Sequence, residues 1–436
     1  MLAEAATNMH RDIPCHVGTS REVADRDYHA LHEDFASLCD FGGRLLGSES
    51  EQKAVTWAHD KLSEIGGQVS CYRLEVPVWC TTRSRLTFVS NGESFECQPM
   101  LRTVPTPAEG LTGTVLDLGR GRAEDYANIG DAAIGKILLV EHEYPFSPTH
   151  VHRREKIRLA IRHGAKAVLM LNPTGDGGLL SGASQTLEGF DPIPCGYISN
   201  ACAARLRAQR SDETVVRIFL DGLASIVHAG IPSLIIGDPA LPRILLSAHI
   251  DGHPLGESAL DNATGVAVAL AATRRLAPQF RTARYALQTI LFTAEEWALF
   301  GSAHYLAQLT EDECRNIKLN VNLDIVAGSP NLTALISGFP HLRRLVETAC
   351  AESSIEVSTY LPLVANSDHY NFARSGIPAF RLLAGFDEPH SRVRHILSGS
   401  DRRDQVDPAE LERALEFVCS VIACATRESE SFARLA

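Results

Sequence analysis

Residues 245–252 read LLSAHIDG, and three later stretches follow the same plan: ALDNATG (259–265), ILFTAEEWALFGS (290–302) and NVNLDIVAG (320–328). Each starts as a strand-like apolar run or opens a helix, and each sets an acid or an imidazole at the boundary: His249, Asp251, Asp261, Glu295, Glu296 or Asp324. Ligand sites of open α/β sheets lie just beyond the carboxyl ends of the strands. Ionisable groups gathered there are poorly explained as solvated surface, and together they predict a metal site.

Working outward, strand and helix patterns alternate from about residue 226 to the end. Apolar runs SLIIG, RILLSAHI, YALQTILFTA, KLNVNLDIV and PAFRLLAG are separated by helical periodicity over 264–277, 297–309, 340–353 and 408–427. This alternation predicts a mixed, mostly parallel sheet flanked by helices. Upstream, residues 24–66 read as helical, with Ser48 or Ser50 as the cap of SESEQKAVTWAHDKLSEIG and Gly66 as its stop. Strands follow at VSCYRLEVPVW and at RLTFV and SFECQ, the last two joined by a hairpin turn at Asn91-Gly92. A Pro/Gly/Thr-rich stretch, TVPTPAEGLTG (103–113), marks a boundary. Beyond it TVLDLG, GKILLVE, KIRLAIRHGA, KAVLMLN, IPCGYIS and VVRIFLDG form a smaller α/β unit. The expected domains are 1–103 and 223–436 for the main body, with 104–222 inserted. The insert shows no cluster of acids and histidines at strand ends, so no chemistry is assigned to it.

Bulk properties exclude several classes. The chain has 436 residues, 41 Lys+Arg against 53 Asp+Glu and a net charge of −12, with no basic block, which argues against nucleic acid as a partner. No segment approaches the length of uncharged apolar sequence that spans a bilayer, so no membrane partner is expected. Eleven scattered cysteines without a Cys-x-x-Cys pair read as reduced thiols. The first 18 residues lack an apolar signal core, so a cytoplasmic location is expected. A homo-oligomer is left open.

Taken singly, the motifs are weak. In His249-Ile250-Asp251 the alternation of a strand end turns both polar side chains the same way, so Asp251 can support the His249 ring. Asp261 alone would serve as a helix cap. Glu295-Glu296 is stronger: two adjacent acids close an apolar run, and crowding like charges there is costly without a cation. Asp324 closes another such run. Imidazole and carboxylate donors without Cys suit Zn²⁺ and are compatible with Mn²⁺ or Co²⁺. A carboxylate shared by two ions would give a two-metal centre that activates water, with a free Glu to carry the proton to a leaving amine. His253, His304 and His341 read as ordinary surface or helix-face histidines, and HVHRREK (150–156) as a charged helix start.

HIDG, DNATG, EEWALFGS, NLD and SDHYNF, in this order, resemble the motifs of metallopeptidase family 28, the co-catalytic zinc aminopeptidases. GGRLLGSESEQKAVTWAHDKLSEIG resembles the family's N-terminal helix segment, and residues 104–222 its protease-associated insert. The resemblance implies two zinc ions. His249 and Asp324 would hold one, Glu296 and a C-terminal histidine the other, and Asp261 would bridge them. Glu295 would be the general base and then acid, with Asp251 behind His249, while SDHYNF supplies no ligand. The chain departs from the family at its last ligand, where FDEPHSRVRHILSGSDRRDQVDP (386–408) offers His395 as first choice and His390 as second. The implied activity is that of an exopeptidase, most simply an aminopeptidase acting on peptides. Alternatives on the same fold are an amidohydrolase of a small N-acyl or amide metabolite, a non-catalytic binding protein, and a glutaminyl cyclase-like transferase.

Overall fold

The computed structural model describes residues 20–173, 176–209 and 214–427, so the N-terminal residues behind the expected location, and Cys15, lie outside the described part. The chain opens with two helices, α1 (Ser20–Asp40) and α2 (Glu49–Ile65), where periodicity suggested one continuous segment. Ser48 caps α2 by accepting a hydrogen bond from the Glu51 N–H, and Gly66 ends it at φ 80°. Strand β1 (Gln68–Phe88) then runs unbroken into the predicted hairpin, pairing with β2 (Ser94–Pro99) around Gly92 at φ 76°.

The inserted region carries β3 (Leu111–Asp117), α3 (Ala123–Ile129), β4 (Ile137–Glu141), α4 (Arg153–Arg162), β5 (Ala167–Leu171), β6 (Cys195–Ile198) and α5 (Asn200–Arg207). It returns along β7 (Val215–Ile236), which pairs antiparallel with nearly the whole of β1. The order β1-β2-β6-β5-β4-β3-β7, closed by the β1–β7 pairing, makes a seven-stranded ring. Its interior is filled by Leu86, Phe88, Ile137, Leu169 and Ile218. The ring therefore takes in residues 84–99, upstream of the sequence boundary, because a closed sheet leaves no edge unpaired.

The main body continues with β8 (Arg243–His249), α6 (Thr264–Phe280), β9 (Ala286–Phe292), α7 (Phe300–Gln308), α8 (Glu311–Asn316) and β10 (Ile317–Leu323). It closes with β11 (Leu332–Leu335), α9 (Leu342–Ser353), β12 (Val357–Tyr360), α10 (His369–Arg374), β13 (Ala379–Ala384) and α11 (Pro408–Arg427). Strands β9-β8-β10-β13 are mutually parallel, with antiparallel pairs at β7–β9 and β11–β13. Alternate residues feed opposite faces: Leu246 and Leu291 pack against α1, α6 and α11, whereas Leu245 and Ile290 pack with Tyr305 and Phe372. Burial on both sides explains why β8, β9 and β10 read as near-continuous apolar runs. None of the described helices is long and apolar enough to cross a membrane. The ten described cysteines are all free.

Candidate metal centre and active site

Three parallel strands stop at one level, and each delivers its polar residue there. β8 ends at His249, β9 runs two residues short of Ala294 and the Glu295-Glu296 pair, and β10 ends just before Asp324. Asp261 arrives from the tight turn Ala259–Ala263 that leads into α6. Asn262, not Asp261, caps this helix: its Oδ1 accepts from the Gly265 N–H at 3.0 Å and the Ile325 N–H at 3.2 Å, and its Nδ2 donates to the Leu323 carbonyl. Asp261 is thereby left free for the site. Gly265 has no room for a side chain, since a Cβ would collide with Asn262 Oδ1 and the Leu323 carbonyl.

His249 Nε2 lies 3.0 Å from Asp261 Oδ1 and 3.4 Å from Asp324 Oδ1, yet is aligned for a hydrogen bond with neither. Its Nδ1 sits 3.0 Å from the Asp251 backbone carbonyl, which takes the ring proton and leaves the Nε2 lone pair facing the acids. The Asp251 carboxylate lies behind the His249 ring, as expected, and has a second task. It stands 3.7 Å from the ring and also accepts the backbone N–H groups of Glu295 (3.1 Å) and Glu296 (3.2 Å), fixing where the acidic pair projects. One donor atom each from His249, Glu295 and Asp324 falls within 4.8 Å of the others. His249 Nε2, Asp324 Oδ1 and Glu296 Oε1 are buried atoms without hydrogen-bond partners.

The electrostatics follow from burial among like charges. Burial, then the nearby Asp324, Glu296 and Asp368, lift Glu295 well above the usual carboxylate range despite His249. Glu296 is raised for the same reasons, chiefly burial and Asp261. His249 runs the other way: burial opposes its protonation, but Asp324, Glu295, Asp251 and Asp261 outweigh it and raise the ring. Burial would also raise Asp324, but Arg381 and His249 overcome it and hold the carboxyl at about 2. A cation among these oxygens relieves the repulsion.

His395 is not brought to this cluster. Its ring nitrogen Nε2 accepts from Arg394 Nε, its charged neighbours are Arg394, Asp176, Asp401 and Asp404, and it does not line the cavity over the acids. The next residues, Ile396 and Leu397, do line it. The turn at Ser391–His395 and the left-handed Leu397 (φ 58°) swing an aliphatic side chain to the place where a histidine was expected. His390, the second choice, lies on a different surface near Gly328 and Arg392.

Several residues escaped the sequence reading. Asp401, fully buried, accepts from the Leu260 N–H (2.7 Å), the Asp261 N–H (3.3 Å) and His253 Nε2 (3.0 Å), so His253 is a core residue and not a surface one. Arg381, in the middle of β13, holds Asp324 through Oδ2 at 3.2 Å and its carbonyl at 3.3 Å. An arginine inside PAFRLLAG was as anomalous as Asp324 and could have been flagged by the same argument. Arg44, in GGRLLGSES, donates to the carbonyls of Ile250, Glu257 and Ser258 and ties the His249 and Asp261 loops together. Asp368 of SDHYNF is fully buried with both carboxylate oxygens unpartnered, and burial lifts it to about 7. The insert also contributes, against expectation: His152, Arg153, Arg154 and Ala183 line the same cavity as the acids.

Residues 236–422 match the model described as peptidase family M28. Over 414 residues the chain is 25% identical to aminopeptidase YwaD of Bacillus subtilis, covering 93% of this chain and 86% of that one. It is 25% identical to a probable leucine aminopeptidase 2 of Aspergillus fumigatus, covering 81% and 70%, and 24% identical to carboxypeptidase Q of Bos taurus, covering 88% and 82%. Among solved structures the fold matches BSAP, a zinc aminopeptidase from Bacillus subtilis, with a TM-score of 0.72 at 22% identity, covering 92% of this chain and 95% of that one. It also matches a peptidase M28 precursor from Shewanella amazonensis with a TM-score of 0.74 at 21% identity, covering 94% and 97%.

Proposed function

The chain is a hydrolase whose residues 236–422 belong to peptidase family M28, and on that premise we propose that it is a zinc-dependent aminopeptidase with Glu295 as its general base. The observation that carries this reading is the gathering of one donor atom each from His249, Glu295 and Asp324 within 4.8 Å, with His249 Nε2 and Asp324 Oδ1 buried and without hydrogen-bond partners. Buried polar atoms are normally satisfied, so two unsatisfied ones 3.4 Å apart beside a third acid call for an ion. The names of the aminopeptidase relatives and the zinc of the BSAP structure support the same assignment.

His249 and Asp324 would hold the ion, with Asp261, whose Oδ1 lies 3.0 Å from His249 Nε2, to complete its donors. Bound there, zinc polarises a scissile carbonyl and lowers the pKa of water. Glu295 accepts the proton of the attacking water and returns it to the departing amine, a task suited to a carboxyl that burial and neighbouring acids raise above its usual range. Asp251 keeps Glu295 in place through the backbone. Glu296, which also lines the cavity, presents negative charge to the free amine of the substrate.

The second ion expected from the sequence does not fit these residues. Asp261 and Glu296 remain available to it, but the third side of that position is Leu397 and Ile396. A catalytic zinc needs about three protein donors. One zinc per chain is therefore the reading these residues support. The direct test is turnover of leucine p-nitroanilide by zinc-loaded protein, abolished by chelator and restored by zinc. Fully loaded protein that cleaves neither this anilide nor any peptide would end the proposal.

A further inference from the structure

An aromatic ring of the insert reaches the metal centre from behind. The segment after β4, Tyr144-Pro145-Phe146-Ser147, belongs to the insert, yet Tyr144 and Phe146 are buried in the core of the main body. Three hydrogen bonds pin this segment to the loop that follows β13. Tyr144 Oη donates to the Gly385 carbonyl at 2.6 Å, the Asp387 N–H donates to the Phe146 carbonyl at 2.6 Å, and Ser147 Oγ donates to Asp387 Oδ1 at 2.8 Å. The two rings stand edge to face at 5.7 Å. So held, the Phe146 ring lies over the Arg381 guanidinium, with Cζ 4.9 Å from the ring centroid. A guanidinium forms its hydrogen bonds in its own plane and leaves its faces bare. A ring over one face attracts the charge and keeps water off it.

Arg381 is 1% exposed, and among the described residues its ion pair is with Asp324 alone, at Oδ2 and 3.2 Å. Its remaining bonds run to the carbonyls of Asp324 at 3.3 Å and Asn366 at 2.8 Å. This grip on Oδ2 leaves Asp324 Oδ1 facing His249 Nε2 at 3.4 Å. Ring, guanidinium and carboxylate thus form one line from the insert to the imidazole. We propose that Phe146 is a positioning residue for the metal centre: by covering Arg381 it fixes which oxygen of Asp324 meets the ion, so zinc retention depends on the seating of the insert. The inference rests on the reading of His249 and Asp324 as zinc ligands. Groups behind a metal ligand set its orientation and therefore the affinity of the site. Coupling of this kind is reciprocal, so bound zinc also tightens the seat of the insert.

Two measurements on the full chain test this without any substrate: zinc affinity by competition with a chromogenic chelator, and amide hydrogen exchange with and without zinc. Phe146→Leu keeps an apolar side chain but loses the ring, and it should weaken zinc binding about 10–100-fold. Phe146→Tyr keeps the ring and should bind zinc as the wild type does. In an Arg381→Met background Phe146→Leu should have no further effect, because the ring then has no guanidinium to hold. Zinc should slow exchange at the Asp387 N–H, which bonds to the Phe146 carbonyl, in the wild type and not in Phe146→Leu. Equal zinc affinity of wild type and Phe146→Leu overturns the proposal. An equal loss with and without Arg381 also overturns it, since such a ring merely fills space. Exchange at Asp387 that ignores zinc in the wild type overturns the coupling without recourse to any variant. A wild type that binds no zinc at all removes the metal reading itself, and this inference with it.

Discussion

The acids of the cavity are assembled from three separate places in the main body; its insert arginines are two adjacent residues of one helix. The acids are held from behind by secondary contacts: Asp251 on the Glu295-Glu296 backbone, Asp401 on the Asp261 turn, Arg381 on Asp324. The arginines have almost no such support, Arg153 having a single carbonyl partner. The contrast teaches that the two walls serve different ends. A wall that must hold an ion against mutual repulsion is over-determined by its surroundings. The arginines meet the acids only through charge, Arg154 towards Glu295 and Arg153 towards Glu296.

The largest effect should come from the acidic wall. His249→Ala removes the imidazole and should abolish zinc retention and lower kcat/KM by about a thousandfold or more, read by elemental analysis beside turnover. Normal zinc content in that variant would move the ion away from the strand ends. Glu295→Gln is the sharper cut, since it should keep the zinc while kcat falls by roughly 10²–10⁴-fold. Should kcat survive, the proton must be handled elsewhere, and the buried Asp368 becomes the group to examine.

Leu397→His probes the boundary between the walls. Wild-type protein should bind about one zinc per chain, because a catalytic site needs about three protein donors. Restoring an imidazole beside Asp261 and Glu296 should raise the count towards two. Two equivalents in the unaltered protein would break the comparison outright, since the aliphatic corner would then not matter.

The smallest effect belongs to the frame beneath the basic wall. Glu143 gathers Arg120, Arg122 and Lys156; burial alone would raise it, but these hydrogen bonds and charges hold it at about 2. A depressed carboxyl stabilises the fold above its unfolded pKa, roughly 4.3, and the contribution is lost as pH falls through the folded value. Glu143→Gln should therefore cost about 1–3 kcal/mol at neutral pH and flatten the stability profile between roughly pH 4 and 2. A variant whose urea midpoint matches wild type at neutral pH would mean that the three cations need no common partner.

The acidic wall could be read from the chain because its signal is local. An apolar run buried on both faces can end in Asp, Glu or His only where something answers the charge, so His249, Asp261, Glu295, Glu296 and Asp324 identify themselves. Helix limits were legible for the same reason, with α11 spanning the predicted 408–427. The failures are equally physical. Asp251 was assigned to the His249 ring, and the reading missed that its carboxylate also holds two backbone donors that only the packing of β9 beside β8 brings near. His395 was carried over from the resemblance to the family's last motif, yet the turn over Arg392–His395 presents the residue two places later. Arg153 and Arg154 looked like any charged helix start.

By itself, the sequence determined the sheet, its helices and the acids at the strand ends, because periodicity and charge at the limits of apolar runs are properties of neighbouring residues. The tertiary structure alone decided which imidazole stays out, which aliphatic comes in, and that an insert without chemistry of its own closes the cavity with two arginines. Those outcomes depend on how separate segments pack in space, and nothing in the spacing along the chain encodes the distance between them.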